Sequence, residues 1–149
     1  MGMTETQNRL EKLVDHGFER IATYPEAEMS FKPSSEKWSK KEILGHLIDS
    51  AINNLQRFTT IQFATKPFKI DSYGQCDLVV SNDYQNSNTS ELLEFWKAIN
   101  VRIMHVISLQ NENTLNHKIV LTNGESSDLK FLMQDYVDHL EHHLNQILA

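Results

Sequence analysis

Cysteine, proline and glycine are all scarce in this chain, and each scarcity removes a class of protein. A single cysteine, Cys76, cannot form an internal disulfide, so a disulfide scaffold is excluded and a reducing, cytoplasmic setting is expected. Three prolines and five glycines are too few to punctuate the many turns of a β-sandwich or barrel, which leaves helices. Lysine and arginine never form a run, and net charge is −6. A nucleic-acid partner would want a basic stripe, so none is expected. No apolar run reaches the length of a bilayer span and no signal-peptide pattern precedes the first helix, so no membrane association is expected. Met1-Gly2 with Thr6 matches the myristoylation pattern. That pattern is short and frequent by chance, and an ordinary start is the expected reading.

What remains is an ordinary globular composition, 40% apolar and 23% charged over 149 residues, which suits one domain over residues 1–149 with one core. Four segments carry helical periodicity. The first runs from Thr4 to Tyr24 and stops before Pro25, with Leu10, Leu13, Val14, Gly17, Phe18 and Ile21 as its apolar stripe. Thr4 and Gln7 have the spacing of a capping box. The second opens on the box Ser39-Lys-Lys-Glu42 and runs to about Gln62. Ile43, Leu47, Ala51, Leu55 and Phe58 line its buried face. The third opens at Asn88 with Glu91 three residues on, and the fourth starts at Ser126 or Ser127 and runs to the C-terminus. His117 to Thr122 alternates weakly, as a short extended stretch would. Residues 63–88 are irregular and hold Pro67, Gly74, Cys76 and the apolar patch Leu78-Val79-Val80. So long a connection in a small domain is usually functional or hides a short helix. The fold class expected is all-α, an up-down four-helix bundle with a long loop between its second and third helices.

Chemistry is concentrated in the last helix. His139 and His143 stand four residues apart, one helical turn, so both imidazoles can grip one cation. On a helical wheel with Leu129 at zero, His143 falls near about 320° inside the apolar arc, His139 at its edge near about 280°, and His142 near about 220° towards solvent. The second helix gives a similar picture. With Ile43 at zero, His46 sits near about 300°, and Ser50, Asn53 and Arg57 continue a polar stripe beside the buried face. A polar stripe bordering a core is expected where a helix lines a pocket. Arg57 carries a planar cationic fork suited to a carboxylate or another anion, and Asn53 and Arg57 are the candidate catalytic groups. His46, His139 and His143 would leave a coordination position open, the arrangement of a catalytic metal and not a structural one.

Against this stand plainer roles. An i, i+4 histidine pair arises by chance, and a core-edge histidine is usually only hydrogen-bonded. His16, His105 and His117 have no partner at helical spacing and are read as ordinary. Trp38 and Trp96 are read as core anchors, and Cys76 as an inert thiol with no base beside it. Asp49 and Asp135 are placed to hold imidazole N–H groups, though exposed helix-face acids are the commoner outcome.

The two runs W-S-K-K-E-I-L-G-H-L-I-D-S-A-I-N-N-L-Q-R-F, from Trp38, and M-Q-D-Y-V-D-H-L-E-H-H-L-N-Q-I, from Met133, together resemble the DinB-like superfamily, in particular its YfiT-type metal-dependent hydrolases. The resemblance covers most of the chain. It implies an up-down four-helix bundle whose three histidines, by motif position His46, His139 and His143, hold a divalent metal. It also implies activities of two kinds: S-transfer from low-molecular-weight thiols such as bacillithiol to electrophiles, or isomerisation dependent on mycothiol, beside members known only as hydrolases. The middle loop departs from YfiT-type relatives. Where they often show Tyr, an acid and a Trp, this chain reads Y-G-Q-C-D-L-V from Tyr73, so a relative's substrate does not transfer.

The expected function is therefore a metal-dependent thiol S-transferase or hydrolase acting on a small molecule. Its cofactors would be Zn or Ni and a low-molecular-weight thiol such as bacillithiol. The alternative is a non-catalytic metal-binding or stress-response bundle. No acid flanks the ligands as in H-E-x-x-H, so a protease-like mechanism lacks its general base, which favours thiol chemistry. A homodimer is expected, because helices this apolar offer more surface than one small bundle buries and dyad dimers are the commonest assembly.

Overall fold

Apolar periodicity over four long segments produces four long helices in the computed structural model, which describes residues 3–149. Met1 and Gly2, where the myristoylation pattern begins, lie outside the described residues. The long helices are α1 (Thr4–Ile21), α3 (Lys40–Thr60), α5 (Thr89–Ser108) and α7 (Leu129–Leu148). Shorter elements fill the connections: α2 (Glu26–Ser30), β1 (Phe68–Lys69), α4 (Gln75–Ser81), a 3₁₀ turn at Tyr84–Asn86, α6 (Glu112–Leu115), β2 (Lys118–Val120) and β3 (Ser126–Asp128). The four-helix bundle is the architecture expected. No helix among the described residues is long and apolar enough to cross a membrane.

Helix starts follow their caps. Ser39 accepts from the Glu42 amide at 3.1 Å while Glu42 reaches back to the Ser39 amide at 3.1 Å, so the expected box forms. Asn88 accepts from the amides of Ser90 and Glu91. Two expectations need correction. No box forms at Thr4 and Gln7: the cap is Met3, which has no side-chain acceptor, and Thr4 is already helical. The last helix does not begin at Ser126 or Ser127. Ser126 and Ser127 pair with Val120 and Ile119 in an antiparallel ribbon, and Asp128 caps α7 by accepting from the Phe131 amide at 2.9 Å. The tight turn between β2 and β3 uses Gly124 at φ 88, a conformation that glycine adopts without a Cβ clash. β1 joins β2 in parallel, which ties the long middle connection to the turn before α7.

Neighbour relations place the site. α3 packs on both α5 and α7, and α1 packs on the same two helices, so α1 and α3 face each other diagonally. The core runs through Leu10, Leu47, Phe58, Trp96, Ile103 and Leu140. α3 is buried more widely than its expected face. Leu44 and Ile48 are fully buried while Ile43 and Leu55 are only partly so. The cause is the middle connection, which folds back over α3 through α4 and the 3₁₀ turn. There the ring of Tyr84 lies flat on Gly45, where any Cβ would overlap it.

That close approach makes Gly45 irreplaceable. Gly45→Ala is expected to lower unfolding free energy by about 1–3 kcal/mol, the usual cost of overpacking, as read from urea unfolding curves. An unchanged midpoint would show that Tyr84 lifts away freely.

Candidate metal centre

Because α3 and α7 are neighbours, the three histidines chosen from two distant motifs meet. Nε2 of His46 lies 3.2 Å from Nε2 of His139. The ring centroids of His46 and His143 are 4.6 Å apart, and those of His139 and His143 are 4.5 Å apart. One nitrogen from each lies within 4.8 Å of the others, so one cation can reach all three. His142 is exposed, its ring 5.0 Å from that of His143, and it is not among the converging ligands. His16 and His105 are exposed and are not among the converging ligands.

Electrostatics favour the neutral, ligating form. Burial first, then the neighbouring imidazoles His139 and His143, push His46 down to about 4. Burial, then His143 and His142, push His139 down to about 4. Near neutral pH both carry free lone pairs, which a metal requires. His143 is held by a contact of 2.8 Å between its Nδ1 and Oε1 of Gln146, leaving its other nitrogen for the cluster. Trp38 is not a deep core anchor; it is half-buried with its ring 5.0 Å from that of His46. Trp96 does anchor the core and is fully buried. Nδ1 of His46 is buried without a partner among the described residues. The donor set fits a divalent transition metal: three imidazoles with converging nitrogens and no acid among them.

The two carboxylates divide: Asp135 is exposed, the commoner outcome for a helix-face acid, and Asp49 is buried. Neither Asp49 nor Asp135 hydrogen-bonds an imidazole. Asp49 is buried and accepts from the Tyr84 hydroxyl at 2.6 Å and the Asn82 amide at 3.2 Å, while its other oxygen has no partner among the described residues. Burial raises its pKa above the usual carboxylate range.

Beside the cluster opens a cavity of about 390 Å³, lined by Ser50, Asn54, Arg57, Tyr73, Asp135 and His139 among others. Arg57 donates to the Asp71 carbonyl at 2.5 Å and lies over the Tyr73 ring. Asn53 is elsewhere. Its amide donates to the Asp49 carbonyl at 2.8 Å, and it lines a shallower depression on the other side of Arg57. The real helix presents Asn54, one residue further round, to the cavity, and Asn54 donates to the Ser50 carbonyl. Tyr73 went unmarked in sequence terms, although the departure at Y-G-Q-C-D-L-V points to it.

The cluster and cavity sit where comparison with known proteins becomes informative. A family model for the DinB superfamily matches residues 3–147. The chain belongs to the DinB superfamily. Its fold matches YfiT from Bacillus subtilis, described as a probable metal-dependent hydrolase with an unusual four-helix bundle topology. That match has TM-score 0.85 and 17% identity, covering 97% of this chain and 82% of that one. It also matches the mycothiol-dependent maleylpyruvate isomerase with TM-score 0.78 and 12% identity, over 100% of this chain and 62% of that one. This DinB-superfamily chain thus spans less than two thirds of the isomerase. Curated protein sequences return no match. At such identities the likeness shows the fold.

The depressed histidines give the metal-free protein a pH-dependent stability. Between pH 6.5 and about 4 the unfolded chain takes up protons that folded His46 and His139 refuse, so stability is present above 6.5 and falls as pH drops towards 4. Urea unfolding of metal-free protein at pH 7 and pH 5 should show this loss, and His46→Gln should reduce it. A pH-flat stability would show that the cluster stays solvated.

Proposed function

We propose that this DinB-superfamily protein is a metal-dependent enzyme acting on a small anionic molecule, by thiol S-transfer or by hydrolysis. His46, His139 and His143 would hold one divalent transition metal, Zn or Ni. The observation that carries this reading is the convergence of three imidazoles beside a polar cavity lined also by the Arg57 cation. A metal bound there supplies a Lewis acid and makes a nearby water or thiol easier to ionise. The chain supplies the rest. Arg57 is partly desolvated, and burial lowers its pKa from the usual guanidinium value, so a carboxylate or similar anion meets a cation with little competing water. Ser50 and Asn54 stand between that anchor and the cluster and orient what is bound. The nucleophile would be water, or a low-molecular-weight thiol such as bacillithiol as co-substrate. The description of YfiT as a probable metal-dependent hydrolase and of the isomerase as mycothiol-dependent supports both branches. The rival is a non-catalytic metal-binding or stress-response bundle. The walled polar cavity favours the enzyme, since a storage or structural site needs no substrate space.

Metal analysis of protein purified without chelator tests the centre. About one equivalent of transition metal is expected, as three imidazole ligands bind tightly. His143→Ala should abolish retention and His142→Ala should leave it intact. Retention by the His143 variant would sink the assignment.

Arg57→Ala should raise KM for an anionic substrate by about tenfold or more, the scale of a lost charge-assisted hydrogen bond, with metal content unchanged. A screen of metal-loaded protein with electrophiles and several small thiols supplies the substrate, and unchanged kinetics would remove Arg57 from the site. A homodimer belongs to the same reading, because Phe31, Phe63 and Val80 remain mostly exposed apolar surface. Light scattering at micromolar concentration should give twice the chain mass, and a monomer mass would end it.

A further inference from the structure

Five ionisable side chains line the cavity beside the histidines: Arg57, Tyr73, Asp135, Tyr136 and His139. Four of them already have partners. The Tyr136 hydroxyl donates to Asn100 at 2.7 Å. Arg57 donates to the Asp71 carbonyl. Tyr73 carries the Arg57 guanidinium over its ring, and burial holds its phenol above the usual range. His139 faces His46 nitrogen to nitrogen. Asp135 has no hydrogen bond or ion pair among the described residues.

Its place on α7 gives that free carboxylate a use. Asp135 precedes His139 by four residues, so their side chains are neighbours on one helix face, with about 5–6 Å between Cβ atoms. It is not among the atoms that converge within 4.8 Å, so it stands beside the cluster without belonging to the ligand set. The surrounding charges are few. Arg57 and Tyr73 face it across the cavity, and Leu121, Thr122 and Asn123 of the β2–β3 turn are neutral. On its own helix lie Tyr136, His139 and Asp138. Asp135 is exposed at the cavity mouth, and the partial burial of its carboxyl, then Asp138, raise its pKa above the usual carboxylate range, in the direction that makes it a better base.

We propose that Asp135 is the general base of this cavity, accepting the proton of a water, thiol or other weakly acidic ligand as that ligand enters beside His139. The O–H or S–H bond breaks, the electron pair stays on oxygen or sulfur, and the proton passes to the Asp135 carboxylate. The base that the H-E-x-x-H comparison found missing is thus supplied from one turn before the histidine instead of the position after it. Water and thiol nucleophiles are served alike, so the same site supports hydrolysis and S-transfer. The role rests on the metal-dependent reading above.

Zinc-loaded protein and acetohydroxamic acid test it. The probe is a neutral weak acid that binds divalent metals as its anion, so one proton must go somewhere. Calorimetric titration in two buffers of different ionisation heat counts the protons that reach solvent. The native protein should release well under one proton per probe bound. Asp135→Asn should keep its zinc, bind about tenfold or more weakly, and release about one proton. Asp135→Glu should recover part of both properties. An Asn variant with affinity within about twofold of native and the same proton count overturns the role. Zinc analysis on the same samples separates the two levels: native protein that retains no zinc overturns the metal-dependent reading itself.

Discussion

Everything distinctive in this molecule depends on α3 packing directly against α7. Each helix alone carries a stripe of polar groups that would be costly to bury, and neither has enough ligands to hold a cation firmly. Side by side they convert two awkward stripes into one site. Burial then does chemical work, because the same desolvation that penalises a charged imidazole leaves His46 and His139 neutral and ready to donate lone pairs.

The second constraint is how α3 is enclosed. A helix with polar residues through its first half would normally lie on the surface. Here the middle connection covers it, with the Tyr84 hydroxyl tied to Asp49 and the ring seated on Gly45. Lys41 is buried too. It donates to the Ser87 carbonyl at 2.8 Å and pairs with Glu26 of α2, while Glu26 also accepts from Thr89 at the start of α5. These contacts give Lys41 and one oxygen of Asp49 partners out of water, and they hold the N-terminal half of α3 at a fixed depth. His46 is thereby set at its level in the bundle.

Much of this was legible in the chain because helical periodicity and capping chemistry are local. The Ser39–Glu42 box and the Asn88 cap name their own helices, and the wheel of α7 separates His143 from His142 without any knowledge of the partner helix. The misses share one cause, which is that tertiary pairing decides between local options. Ser126 and Ser127 are good caps in isolation, but β2 recruits them into a ribbon and Asp128 takes the duty. Asn53 and Asn54 are adjacent, and an idealised wheel cannot say which one a neighbouring loop will cover. Tyr73 lies in an irregular segment where periodicity has nothing to report. For Asp135 the sequence leaves two roles open, imidazole partner or exposed helix-face acid; it is exposed, and only the tertiary structure shows that it also lines the cavity.

The contact between His46 and His139 joins positions 93 residues apart in the chain, and this has a consequence for how the protein is made. Contacts between such distant positions form by tertiary packing and not within any one helix. The histidine cluster therefore exists only once α5 has docked and α7 has returned to α3. A ligand that needs all three imidazoles cannot template an early intermediate. It can only capture the finished bundle, adding stability in proportion to the logarithm of its concentration over its dissociation constant and slowing the escape of α7, whose departure would dismantle the site.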